Sequence, residues 1–307
     1  MATVTNWRHL VALVFLVVLP AAAGCANPGS GHAGGRRAAT TTRPVTSAPA
    51  STGQPTPPPP TAPATPTTTT VPAPPGIPPG NPWPVIPPIA PGHHAVLVMG
   101  DSIAGQMYWS LPDVLASMQI DAAAYDATMP TAGLLDPMFG LAPPDYLAAQ
   151  LAAHPDVDTV VFEFAGACTA ACTSGGVVYG SPDFFARWQT VAHQLTADAR
   201  ARSLHVIWAI SPPPPLPDDA NDLHFVVATQ VADMLIAYDR TYPKTDGVTS
   251  ADWFSALADT SGLWQPALWY DGALHQVRLT DLVHLTPDGS VRASTWTILA
   301  LATSWAV

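Results

Sequence analysis

Ala95-Val96-Leu97-Val98-Met99-Gly100-Asp101-Ser102 opens the informative part of the 307-residue chain. Five apolar residues in a row, stopped by glycine, suit a strand buried on both faces, as in a parallel sheet. The Gly-Asp-Ser that follows reads as a sharp turn into a helix. A serine there is exposed, and its own amide lies at the positive helix end. Two further runs have the same character. One is Thr159-Val160-Val161-Phe162-Glu163-Phe164, which ends before Gly166. The other is Leu204-His205-Val206-Ile207-Trp208-Ala209-Ile210, stopped by Ser211 and four prolines. A weaker strand is expected near residues 120–127. Helical patterns fall between and after them, at 146–153, at 182–202 with Ser181 as cap, and at 221–242 with Val227, Val231 and Leu235 in its stripe. The last, 287–305, has Thr286 at the cap position and Pro287 in the first turn. This alternation predicts an α/β domain with a parallel sheet covered on both faces. In such sheets the active site lies at the carboxyl ends of the strands.

A second stretch carries chemistry: Asp281-Leu282-Val283-His284-Leu285-Thr286-Pro287-Asp288-Gly289. Aspartate and histidine three residues apart can meet across one turn. The carboxylate then holds Nδ1–H while Nε2 faces a serine, as a hydrolytic triad requires. Each signal alone also has a bland reading. Gly-Asp-Ser is common in turns, Asp or Ser often merely caps a helix, and an Asp-His pair is often a surface pair.

The two signals together are more specific. Strand, Gly-Asp-Ser, helix, several strand-helix units, then Asp-x-x-His-Leu-Thr-Pro-x-Gly before a terminal helix: this order resembles the SGNH (GDSL-type) hydrolases, over residues 93–307. The resemblance implies a flavodoxin-like three-layer α/β/α sandwich with a mostly parallel sheet. It implies an acyl-ester substrate, with no metal and no organic cofactor. Carried over by position, Ser102 is the nucleophile, His284 the general base and Asp281 its orienting partner. Gly133, in Thr131-Ala132-Gly133-Leu134, matches the family's second block, whose glycine N–H joins that of Ser102 in the oxyanion hole. The third block departs from the family. Where Gly-Asn or Gly-x-Asn is usual, the chain has Gly166-Ala167. A methyl group cannot donate, and losing one oxyanion donor costs about 10²–10³ in turnover. The resemblance therefore leaves open an esterase, a weak or inactive binding module of the same fold, and an O-acyltransferase. The intact Ser-Asp-His set favours retained chemistry.

Other candidates weigh less. Glu163 is the only glutamate and sits on a central strand, where it either neighbours the site or is paired with an arginine. His224 with Asp222 and His275 with Asp271 are decoy pairs, since neither precedes a capped helix. His93-His94 reads as solvent-facing rather than metal-binding. Trp264, Trp269 and Tyr270 suit a lid, a sugar platform or packing. Pro212 to Pro215 read as a rigid loop that either shapes the cleft or ends the strand.

Residues 1–25 read as an address. Arg8 precedes the apolar run Leu10 to Leu19 and then Ala21-Ala22-Ala23-Gly24-Cys25. A positive segment, an apolar core of about 7–15 residues and a small-residue end make a secretory signal. The ending resembles a bacterial lipoprotein signal, with lipidation at Cys25. The expectation is a secreted, cell-envelope protein anchored to the outer face of the cytoplasmic membrane. Cys168 and Cys172 are then free to pair in an oxidising compartment.

Composition sets the remaining bounds. Twenty of the 36 prolines fall within residues 26–92, which hold no acidic residue. That stretch is expected to be a disordered, extended spacer. Residues 93–307 hold all 22 acidic residues and seven basic ones, a net of −15. So acidic a domain is a poor nucleic-acid binder, because that affinity comes largely from Lys and Arg contacts to phosphate.

Overall fold

The computed structural model describes residues 71–164, 173–178, 181–213, 248–281 and 283–306. All lie within one compact unit, Thr65–Val307. The expected helix at 221–242 lies outside the described residues.

The sheet is built on β1 (His94–Gly100). On one side it pairs with β2 (Ala122–Thr128) and on the other with β3 (Thr159–Glu163). Beyond β3 come β6 (His205–Ala209) and β7 (Val248–Ala251). All four pairings are parallel, in the order β2-β1-β3-β6-β7. Counted along the sheet, this is the flavodoxin-like order, with its switch point between β1 and β3. Two small antiparallel hairpins lie outside the sheet, β4–β5 (Thr173–Ser174, Val177–Val178) and β8–β9 (Ala267–Tyr270, Ala273–Gln276).

Strand alternation divides the core in two. Leu97 and Met99 of β1 join Val160, Phe162, Val206 and Trp208 on one face. That face is covered by α2 (Pro143–Ala153) and α3 (Pro182–Arg200). Val96 and Val98 join Val161, Ile207 and Ala251 on the other. There α1 (Ser102–Ser117), α4 (Trp253–Leu257) and α5 (Pro287–Trp305) form the cover. The result is a three-layer α/β/α sandwich.

Local chemistry sets the helix starts. Ser181 accepts from the Phe184 amide, and Thr286 from the Gly289 amide. Each is followed by proline at the first helical position, where the missing N–H costs nothing. Indole donors then pin layers together at 2.9 Å: Trp208 to Thr196, Trp253 to Thr297 and Trp305 to Thr159. Buried Trp N–H groups need such partners.

The spacer expected up to residue 92 ends sooner, because residues 71–92 lie along the domain. Gly80 N–H donates to Trp269 O at 2.9 Å, and Trp269 N–H to Pro78 O at 2.8 Å. The Asn81 amide reaches Ser255 O at 2.8 Å. Trp83 packs edge-on against Tyr270, and Ile86 and Ile89 pack on the core. The fully buried Arg292 guanidinium lies over Trp83, Tyr270 and Trp296, 4.4–4.9 Å from each ring, and donates to Asn81 O. Window-averaged composition hides Trp83, Ile86 and Ile89, which are enough apolar surface to seat an already extended chain.

Candidate active site

The turn between β1 and α1 is possible only because residue 100 is glycine. A Cβ there would lie 1.9 Å from Glu163 O. β1 and β3 therefore close together beneath Ser102. Asp101 is buried and caps α1 through the Ile103 amide at 2.8 Å. The Ala104 amide donates to Glu163 Oε2 at 3.1 Å, and the Asp101 amide to Glu163 O at 3.3 Å. Of the four orphan amides that a helix start leaves, these bonds use three. The Ser102 amide is the fourth.

His284 arrives on the loop between β9 and α5. Its Nε2 is 2.8 Å from Ser102 Oγ, and its Nδ1 is 2.7 Å from Asp281 Oδ2. Asp281 Oδ1 also accepts the amides of His284 and Val283, at 2.9 and 3.0 Å. Burial alone would raise the Asp281 carboxyl, but the bonds from His284 and Val283 outweigh it and hold it below its ordinary value. An ionised carboxylate only accepts, so Nδ1 carries the proton and Nε2 presents its lone pair to the serine hydroxyl.

Three ties fix this loop. Leu279 N–H donates to His284 O at 2.8 Å. Leu285 N–H donates to Gln106 Oε1 at 2.7 Å. Arg278 spans Val283 O at 2.7 Å and Pro213 O at 3.2 Å. Burial pushes its guanidinium down to about 9, while Asp281 and Glu163 pull it back up. Glu163 is buried beside the nucleophile's helix start, and its Oε1 accepts from Ser211 Oγ at 3.2 Å. Both readings of Glu163 thus hold in part: it neighbours the site, and Arg278 is within its field.

Gly133 does not fill the expected role. Its N–H donates to Asp136 Oδ2 at 3.0 Å, and the same carboxylate takes Ser174 Oγ at 3.0 Å and the Gly175 amide at 3.1 Å. The carboxylate three residues on, in the same turn, captures the amide that an oxyanion would need. Gly166, Ala167, Cys168, Cys172, Asp222, His224 and Cys25 lie outside the described residues.

The remaining candidates serve packing. His275 pairs with Asp288 at 3.0 Å and stacks on Tyr270, while Asp271 takes the Trp83 indole instead. His93 and His94 meet Asp121 and Asp158. Among the described residues no group of three or more His, Cys, Asp or Glu is placed to hold a metal. Trp264 and Tyr270 are buried, and Trp269 donates to Val71 O. Gln106, Arg278 and Asp136 were not singled out from the sequence. Two of them carry a spacing in the sequence, Asp136 three residues beyond Gly133 and Gln106 one helical turn beyond Ser102, though the spacing of Gln106 does not reveal its distant partner.

A family model described as "Protein of unknown function (DUF459)" matches residues 95–296, which span the sheet, Ser102 and the His284 block. The chain belongs to this family. No curated protein matches this DUF459 member. The DUF459 domain is similar to solved SGNH and GDSL-type hydrolase structures. Against the crystal structure of TesA the identity is 16%, covering 68% of this chain and 99% of that one, with a TM-score of 0.41. Against a GDSL-like lipase from Bacteroides thetaiotaomicron it is 15%, covering 69% and 89%, with a TM-score of 0.43. Against the psychrotrophic esterase EstA from Pseudoalteromonas sp. it is 14%, covering 68% and 97%, with a TM-score of 0.41.

Proposed function

We propose that the chain is a serine esterase that hydrolyses O-acyl esters at the cell envelope. The carrying observation is the relay Asp281 Oδ2–His284 Nδ1 at 2.7 Å and His284 Nε2–Ser102 Oγ at 2.8 Å. Ser102 Oγ attacks the ester carbonyl carbon as its proton passes to His284 Nε2. Asp281 stabilises the imidazolium. The Ser102 amide faces the oxygen that becomes negative. His284 then protonates the leaving alkoxide, which departs as the alcohol and leaves an acyl-serine. Water, deprotonated by His284, attacks that ester, releasing the acid and restoring the hydroxyl.

The envelope address rests on residues 1–25 and on Cys25 as the anchored residue. It makes O-acyl groups of wall glycans or lipids the natural substrate class. In the same oxidising compartment, Cys168 and Cys172 are free to pair. Among the described residues no helix is long and apolar enough to cross a membrane. The proposed membrane contact is the lipid on Cys25.

A second reading, a binding module of the same fold with weak or no turnover, is favoured by the Gly133 amide being held by Asp136. Hydrolysis of p-nitrophenyl acetate by the full chain beside its Ser102→Ala variant separates the two. Esterase action predicts turnover that disappears in a variant of unchanged melting temperature. Turnover that survives in Ser102→Ala refutes the nucleophile. Silence in both folded proteins supports the binding module.

A further inference from the structure

Ser102, Gln106 and Ser110 stand one turn apart on α1, and so share one face of that helix. Each meets the stretch that follows β9. Ser102 Oγ is 2.8 Å from His284 Nε2, Gln106 Oε1 accepts the Leu285 N–H at 2.7 Å, and Ser110 Oγ lies 2.7 Å from Ser294 Oγ. Gln106 is buried, with 8% of its surface exposed.

The His284 ring is about a third exposed, so packing alone does not fix it. Its bonds to Asp281, and that of its carbonyl to Leu279, stay within its own loop and move with it. Thr286 bonds the loop to its own flanking elements, β9 and α5. Apart from that and the Ser102–His284 contact itself, two side chains hydrogen-bond the loop to other elements among the described residues. Arg278 ties it to Pro213, after β6. Gln106 ties it to α1, the element that carries Ser102. Gln106 is therefore the tether common to both reactive atoms. Leu285 directly follows His284, so fixing its amide fixes the base to within one residue of chain, about 3.8 Å between Cα atoms.

We propose that Gln106 is a positioning residue: its carboxamide oxygen sets the distance between His284 and Ser102 by fastening the base's loop to the nucleophile's own helix. This rests on the reading of Ser102 and His284 as nucleophile and base.

Full-chain Gln106→Met, Gln106→Glu and Ser110→Ala test it. Methionine keeps the length but removes the oxygen acceptor, glutamate keeps an acceptor, and Ser110→Ala weakens the α1–α5 contact away from the site. Three quantities are read: the rate of Ser102 labelling by a fluorophosphonate, the His284 ring titration by nitrogen-15 NMR, and the melting temperature. Gln106→Met is expected to slow labelling on the order of 10–100-fold, the scale of a small misplacement of reacting groups, and to move the His284 titration. Gln106→Glu is expected to restore most of the labelling rate. Ser110→Ala is expected to lower the melting temperature and label like the parent.

Equal labelling by Gln106→Met and the parent overturns the proposal. So does labelling that falls in all three variants in step with melting temperature, since that marks a structural role only. If the parent itself is not labelled at Ser102, the esterase reading fails, and the ring titration still decides the positioning. A His284 titration that Gln106→Met leaves unchanged overturns it, and a shifted one sustains it.

Discussion

Asp281 does two jobs with two oxygens. Oδ2 holds the imidazole, while Oδ1 holds the amides that shape the loop around it. Asp281→Asn keeps the shape but offers an N–H where an acceptor is needed, favouring the wrong tautomer of His284. Turnover is expected to fall about 10⁴-fold, the loss typical of this change in a serine triad, as read by p-nitrophenyl acetate hydrolysis. The same variant has a pH signature. The folded carboxyl lies below its ordinary 3.8. Its contribution to stability is therefore whole above about pH 4 and is lost as pH falls through the lowered value. The melting-temperature gap between the parent and Asp281→Asn is expected to narrow below that pH. Ser102, Asp281 and His284 were legible because two short motifs carry them. Gln106 was not, since its partner lies 179 residues away. Gly133 was expected to offer a free amide, although its rival for that amide, Asp136, stands three residues on in plain sight.

At the scale of elements, α5 is the most legible part of the chain. Thr286-Pro287-Asp288-Gly289 supplies a side-chain cap, a prearranged first φ, an acidic first turn and a close approach, and the helix runs over 287–305 as expected. Gly289 is required here, since a Cβ would lie 2.2 Å from Val277 O. Thr286→Ala removes the cap and is expected to cost about 1 kcal/mol in urea unfolding. It is also expected to lower turnover with little change in KM, because the cap stands two residues from the base. The hairpin β8–β9 went unread, although Asp271-Gly272 with φ of 51° and 77° is a tight-turn pair. Its strands are four residues each, too short for a period to show. β7 is equally short, and its place in the sheet comes from pairing with β6 rather than from its own pattern.

At the scale of the whole molecule, proline content was the misleading quantity. It separates 26–92 from the rest, yet residues 71–92 belong with the fold. Arg292 shows why the segment stays. Burial pushes its guanidinium down to about 10, and the segment supplies one ring and one carbonyl to it. A chain cut at residue 93 is therefore expected to melt lower than one cut at 71. In the longer chain Trp83→Ala is expected to reproduce much of the difference, about 3 kcal/mol, the low end for large aromatic truncations because Trp83 is only partly buried. Equal melting of the two cut chains would show that the segment is a passenger.

The packing of α1 against α5 also fixes a sequence of events in time. The Ser110–Ser294 contact joins residues 184 apart in the chain. The face of α1 that meets α5 is made well before its partner and is covered only when α5 has emerged. Contacts of such long range close late and make folding slow. The growing chain therefore carries that uncovered face of α1 until α5 emerges, and a chaperone that binds such surfaces has that whole interval in which to act. Ser102 and His284 meet only once the loop before α5 has been made, so an esterase of this design would stay silent until then.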